Sequence, residues 1–206
     1  MANLNDNRSM ARCNKNLNEA FSVAPPWPRQ YDASMKCKFK SKFLALSAAL
    51  ACMPALANDF GAMVTDLRWR DQNVPEGQQC RRDGGQGASP RLVIGRLPEG
   101  TNRIVVEFSD RTDKQLNNGG QGRIGLKVSE GATGVIFPSI PGHTFELPSD
   151  RMYLIEAHRG DDEPGAYLPP CSGGMMHLYT VRVMAAREEG GQSTVLATED
   201  LILGYY

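Results

Sequence analysis

Three histidines, a serine near one of them and two late cysteines are the residues of this chain best suited to chemistry. Ser172 precedes His177 by five positions, a pairing in which an imidazole could take the proton of a hydroxyl in a minor hydrolase. No G-x-S-x-G elbow accompanies it, so the turn that presents such a nucleophile is missing. His143, His158 and His177 stand at intervals that fit none of the short spacings placing two metal ligands on one helix or turn, and no metal or cofactor is expected. Asp161, Asp162 and Glu163 gather carboxylates without the regular ligand spacing of a calcium loop and read as a solvated turn. The glycine-rich stretches 84–87 and 117–122 lack the Lys-Ser or Lys-Thr and following helix that a phosphate-binding loop needs. His177 opens an apolar strand, where a hydrogen-bonded structural role and a ligand-binding role both stand as alternatives.

The segment that decides the setting of these residues lies upstream. From Met35, four lysines at 36, 38, 40 and 42 precede an apolar run over 43–51 and then Pro54-Ala55-Leu56-Ala57, the pattern of a signal peptide cut before Asn58. Residues 1–34 precede it, are polar and Asn-rich, and are expected to be an upstream extension, with the natural start at Met35; a long n-region is the alternative. Residues 58–206 then form the expected domain, of a size that buries one core. The removed stretch holds 8 Lys and Arg against 3 Asp and Glu, so the 15 and 20 that remain leave a charge of −5. Such a domain, with no basic run, has no footprint for nucleic acid. Nor does the signal's short apolar run span a membrane, so no stable span is expected in the mature chain. Of five cysteines, Cys80 and Cys171 survive processing, and in a periplasmic or secreted protein they read as one disulfide.

The elements that must carry these residues read as strands. β-rich stretches over 63–70, 91–94, 103–108, 123–128, 133–137, 152–157 and 177–185 alternate with glycine-rich turns, and no long amphipathic helix intervenes. Tyr179, Val181 and Val183 share one parity and Thr180 and Arg182 the other, which predicts one packed face and one wet face. The fold class is mainly β, a single antiparallel sandwich-like domain.

Three blocks carry a resemblance to a known family. Ser89-Pro90-Arg91-Leu92 followed by Pro98-Glu99-Gly100-Thr101 resembles the S-P-x-L and P-x-G-T segments of the phosphatidylethanolamine-binding, Raf-kinase-inhibitor-like proteins. Tyr167, Pro170, Cys171, His177 and Tyr179 fall in register with that family's Y-x-G-P-C-P-P-x-G-x-H-x-Y segment, and Val195-Leu196-Ala197 with Leu201 and Tyr205 resembles its C-terminal block. The departures fall where the family binds anions: of its D-P-D-x-P turn only Asp110 is matched, and its W-x-H segment has no counterpart over 122–127.

The resemblance implies a sandwich of that family's type and a shallow pocket formed by Asp110, Tyr167, Pro170 and His177. A histidine beside backbone N–H groups can hold a phosphate or carboxylate through charge-assisted hydrogen bonds. The expected function is a non-enzymatic exported binding protein for a small anionic or phosphate-bearing ligand. The alternative is an envelope interaction or inhibitor module that binds a protein partner through exposed loops such as 160–165, with Tyr167 and Pro170 merely shaping a loop.

Overall fold

The structure, a computed structural model, describes residues 59–70 and 72–206. The upstream extension expected over 1–34 and the signal peptide expected over 35–57 lie outside the described residues. Among the described residues no helix is long and apolar enough to cross a membrane.

The chain is mainly β, in two antiparallel sheets. Eight strands follow in order: β1 (Gly61–Val64), β2 (Leu92–Gly95), β3 (Arg103–Asp110), β4 (Arg123–Lys127), β5 (Gly134–Phe137), β6 (Met152–Glu156), β7 (Leu178–Glu189) and β8 (Gln192–Tyr205). One sheet has the order β1-β2-β5 and the other β6-β4-β3-β7-β8.

Period-two patterning builds the larger sheet. Ile104, Val106 and Phe108 of β3 are fully buried, and they face Ala185, Val183 and Val181 of β7 across the ladder. Ile124 and Leu126 of β4 extend the same apolar surface. Leu92, Ile94 and Phe137 of the smaller sheet join this cluster, so the two sheets share one core. Each such side chain contributes roughly 1.5–3 kcal/mol through burial. The expected parity of Tyr179, Val181 and Val183 is observed, all three at 1% exposure or less.

Two expectations are corrected. The stretch 63–70 is not one strand: β1 ends at Val64, and Leu67–Arg70 is 3-10 helical with a kink at Trp69. Asp66 causes the break, its carboxylate accepting the Arg68 N–H and its carbonyl the Trp69 N–H, which turns the Trp69 indole into the core. The last predicted strand does not stop at Ala185 either. β7 runs on to Glu189, reverses through Gly190 and Gly191 at φ 59° and 82°, and returns as β8, the longest strand, which the sequence reading left out. Two consecutive residues of positive φ make the tight hairpin connection that matches strand twist.

The smaller sheet presents an apolar row outward. Met63, Val93 and Ile136 are cross-strand partners and all exposed, and beside them Gly61, Gly95 and Gly134 form a second row without side chains.

Candidate functional site

A cavity of about 290 Å³ opens where β3 ends and β7 begins. Asp110 closes β3 and pairs in register with Tyr179, so the ends of both strands are fixed by the central ladder. Beyond this point the walls are loops: the turn at Arg82 and Asp83, the stretch Asp113 to Leu116, the turn at Gly160 to Asp162, and the segment from Cys171 to His177.

Asp110 is the organising group. Its side chain is almost wholly buried, and Oδ1 accepts the N–H groups of Thr112 and Asp113 at 2.8 and 3.1 Å. Oδ2 lies 2.6 Å from His177 Nδ1, a contact short enough for a charge-assisted hydrogen bond. Three donors around one carboxylate offset the cost of burying its charge. The His177 backbone is held in turn, its N–H donating to the Tyr206 carbonyl at 2.7 Å and its carbonyl accepting the Tyr206 N–H at 3.1 Å. With Nδ1 occupied and the backbone fixed, Nε2 has no protein partner among the described residues, and the ring forms part of the cavity wall.

The opposite wall is pinned by the Cys80–Cys171 disulfide, which joins residues 91 positions apart. Cys80 also donates its N–H to the Pro170 carbonyl at 2.9 Å, and Arg82 Nη2 donates to the Cys171 carbonyl at 2.6 Å. The Gly173 N–H reaches Asp83 Oδ2 at 2.7 Å. Behind the cavity the Tyr179 hydroxyl accepts the Cys171 N–H at 3.2 Å, and burial pushes this phenol well above its ordinary value.

His143 lies behind the disulfide wall. Nε2 accepts the Arg81 N–H at 3.2 Å, which assigns the proton of the neutral ring to Nδ1. That Nδ1 is buried without a hydrogen-bond partner among the described residues and faces Asp162 Oδ2 at 4.0 Å. Desolvation pushes His143 below the ordinary histidine value, outweighing the attraction of Asp162.

The expected site residues separate into two groups. Asp110 and His177 come together in the cavity. Tyr167 and Pro170 do not line it: Tyr167 is buried in the core with its ring 4.6 Å from Phe108, where burial raises its hydroxyl far above the ordinary value, and Pro170 supplies its carbonyl to Cys80 from a buried loop. Ser172 donates its hydroxyl to the Tyr206 carbonyl at 2.5 Å and is not held by His177, so the suggested nucleophile and base are not paired. The loop 160–165 is partly packed rather than free: Gly165 is buried, Asp162 lies against Cys171, and Glu163 pairs with Arg81.

Sequence reasoning missed Arg82 and Asp83, read Asp162 as part of a solvated turn and set His143 aside as a metal ligand; Arg82, Asp83 and Asp162 meet at a cavity whose wall the disulfide builds from distant turns. The three-residue interval from Cys80 to Asp83 along one turn was the available signal. The cavity's charge was missed as well. Asp83, Asp110, Asp113, Asp161 and Asp162 line it against Arg82 and His177, so its balance is acidic. A larger recess of about 760 Å³, at the Arg103 end of β3, is formed by Leu97 to Asn102, Glu130 to Thr133 and Arg187 to Glu189; no histidine or cysteine lines it.

Set against known proteins, the chain matches no family model and no curated sequence.

Proposed function

We propose that this chain is an exported, non-enzymatic binding protein of the phosphatidylethanolamine-binding-like type, and that the cavity at Asp110 and His177 takes a small phosphate- or carboxylate-bearing ligand. The observation that carries the reading is the pairing of half-buried His177 with the buried Asp110 carboxylate, which leaves Nε2 available at the wall of a polar cavity. Arg82 supplies the second cationic side chain of that wall. A bare anion would meet five carboxylates there, so the charge distribution favours a ligand that also carries an ammonium group, such as a phosphoethanolamine-like head group. The disulfide, together with the lack of a long apolar helix among the described residues, is compatible with export.

A thermal-shift screen of the oxidised protein tests the reading with phosphoethanolamine, inorganic phosphate, small carboxylates and simple amines, repeated on His177→Ala. A ligand at ~100 times its dissociation constant stabilises by about 2.7 kcal/mol. The expected result is a shift with the zwitterion that His177→Ala abolishes; no shift with any compound overturns it.

A second reading has its own observation. The exposed row of Met63, Val93 and Ile136 is an apolar surface suited to a protein partner, in place of the loop 160–165. If Val93→Lys abolished a pulled-down complex while His177→Ala left it intact, the protein would be an interaction module.

A further inference from the structure

The disulfide stands at the centre of a group that can do something else. The sulfurs of Cys80 and Cys171 and a carboxylate oxygen of Asp83 all lie within 4.8 Å of one another. Cys80 and Asp83 are three residues apart across a turn of 3-10 helix, which places both side chains on the same side. The turn is braced by the Asp83 and Gly85 N–H groups, both donating to the Cys80 carbonyl. A second carboxylate approaches from another loop: Asp162 Oδ2 is 3.5 Å from Cys171 Sγ. A disulfide sulfur carries no proton, so this contact is not a hydrogen bond and gives the carboxylate no stabilisation in the oxidised form. The buried, unpartnered Nδ1 of His143 faces the same carboxylate at 4.0 Å, which puts beside it a donor able to orient it. Asp83, Asp162 and Cys171 all line the cavity, which gives an ion a route in.

We propose that the reduced protein binds one zinc-like divalent ion through Cys80, Cys171 and Asp83, with Asp162 completing a tetrahedral set, so that the metal-bound and disulfide forms are alternative states of one site. A dithiol reductant converts the disulfide to two thiols and is itself oxidised to a disulfide. The ion then displaces the two thiol protons to solvent and is held by two thiolates and two carboxylates, the mixture of soft and hard donors that zinc accepts. The ion shares Asp83 and Asp162 of the cavity wall with whatever the cavity binds in the oxidised form, so the two occupants belong to different redox states.

Cobalt is the probe, because a thiolate–cobalt bond absorbs by charge transfer and an oxygen-only site does not. The full chain with Cys13, Cys37 and Cys52 replaced by serine, reduced with a phosphine and titrated with Co²⁺, is expected to develop this absorption to one equivalent per chain, and zinc is expected to bleach it. Asp83→Asn is expected to weaken binding at least ~10-fold, and Asp162→Asn by a similar factor, the scale on which metal sites respond to altered oxygen partners. The oxidised protein and the Cys80→Ser/Cys171→Ser double variant should give no charge-transfer band. Near-ultraviolet circular dichroism is recorded in parallel, with the ion expected to preserve or restore the tertiary signal of the reduced chain. Absence of the band from the reduced chain overturns the proposal, whether or not that chain keeps its fold. Unchanged affinity in Asp83→Asn overturns it equally.

Discussion

The central sheet and the loop cluster at its end are both buried, but by different means. In β3 and β7 the buried side chains are aliphatic or aromatic, and alternation alone tells each which way to face. Around the cavity and behind its wall the buried residues include Asp110, His143 and Ser172, and each is held by particular donors and acceptors from other segments: His177, Arg81 and Tyr206. The sheet is specified by a pattern and tolerates exchange of one apolar residue for another of similar size. The cluster is specified by individual bonds, so a single atom lost there leaves a buried partner unsatisfied. Substitutions in the first region should therefore change stability and leave the site intact until the fold fails, whereas those in the second should change both.

The largest expected effect divides the two regions most sharply. In the chain-entropy model, opening the Cys80–Cys171 loop costs about 4–5 kcal/mol, and Cys80→Ser/Cys171→Ser in a denaturant titration should show a loss of that order. Phe108→Ala, in the sheet, should cost roughly 3–5 kcal/mol through the cavity it leaves, with ligand affinity unchanged below the melting transition. A disulfide loss that left stability unchanged would remove the contrast, since the loops would then hold without their staple.

Next in size is Asp110→Ala, which strips the partner from His177 and from two backbone N–H groups. A loss of about 3 kcal/mol is expected, with binding abolished even where the protein is still folded. Smaller again is a pH effect. His143 is held below its ordinary value in the folded protein, so the unfolded chain binds more protons as the pH falls past about 6.5. Stability from this group is complete above that pH and declines below it, down to the lower folded value. The slope of stability between pH 7 and 5 should therefore be shallower in His143→Gln than in the wild type. The smallest effect belongs to the sheet surface, where Arg182→Ala breaks an exposed pair with Asp200 at 2.8 Å and should cost under about 1 kcal/mol, less in high salt.

The same contrast explains what could be read from the sequence. The parity of Tyr179, Val181 and Val183 located a packed strand face, and paired late cysteines located the disulfide. The strand β8 went unread because its exposures follow no clean alternation: residues 192–195 are all exposed, and a register shift at Ala185 and Ala186 breaks the period. Around the cavity, His177 and Asp110 were singled out, while Asp162 was read as part of a solvated turn, His143 was set aside as a metal ligand, and Arg82 and Asp83 were not picked out because nothing local marks them. They are neighbours only after β3 and β7 have paired and the disulfide has drawn residue 80 to residue 171. The spread of Tyr167 and Pro170 away from the cavity has a similar origin. Tyr167 satisfies the core against Phe108, and its loop carries Pro170 to the Cys80 N–H instead of to the cavity.

The central claim, that ligand binds at the Asp110–His177 cavity and not on the apolar face of the smaller sheet, is tested most directly by amide chemical-shift mapping of the oxidised protein titrated with phosphoethanolamine. The account predicts saturable shifts at Asp113, Gly173 and His177, absent in His177→Ala, with Met63, Val93 and Ile136 unmoved. Shifts confined to those three sheet residues, or none anywhere, would contradict it.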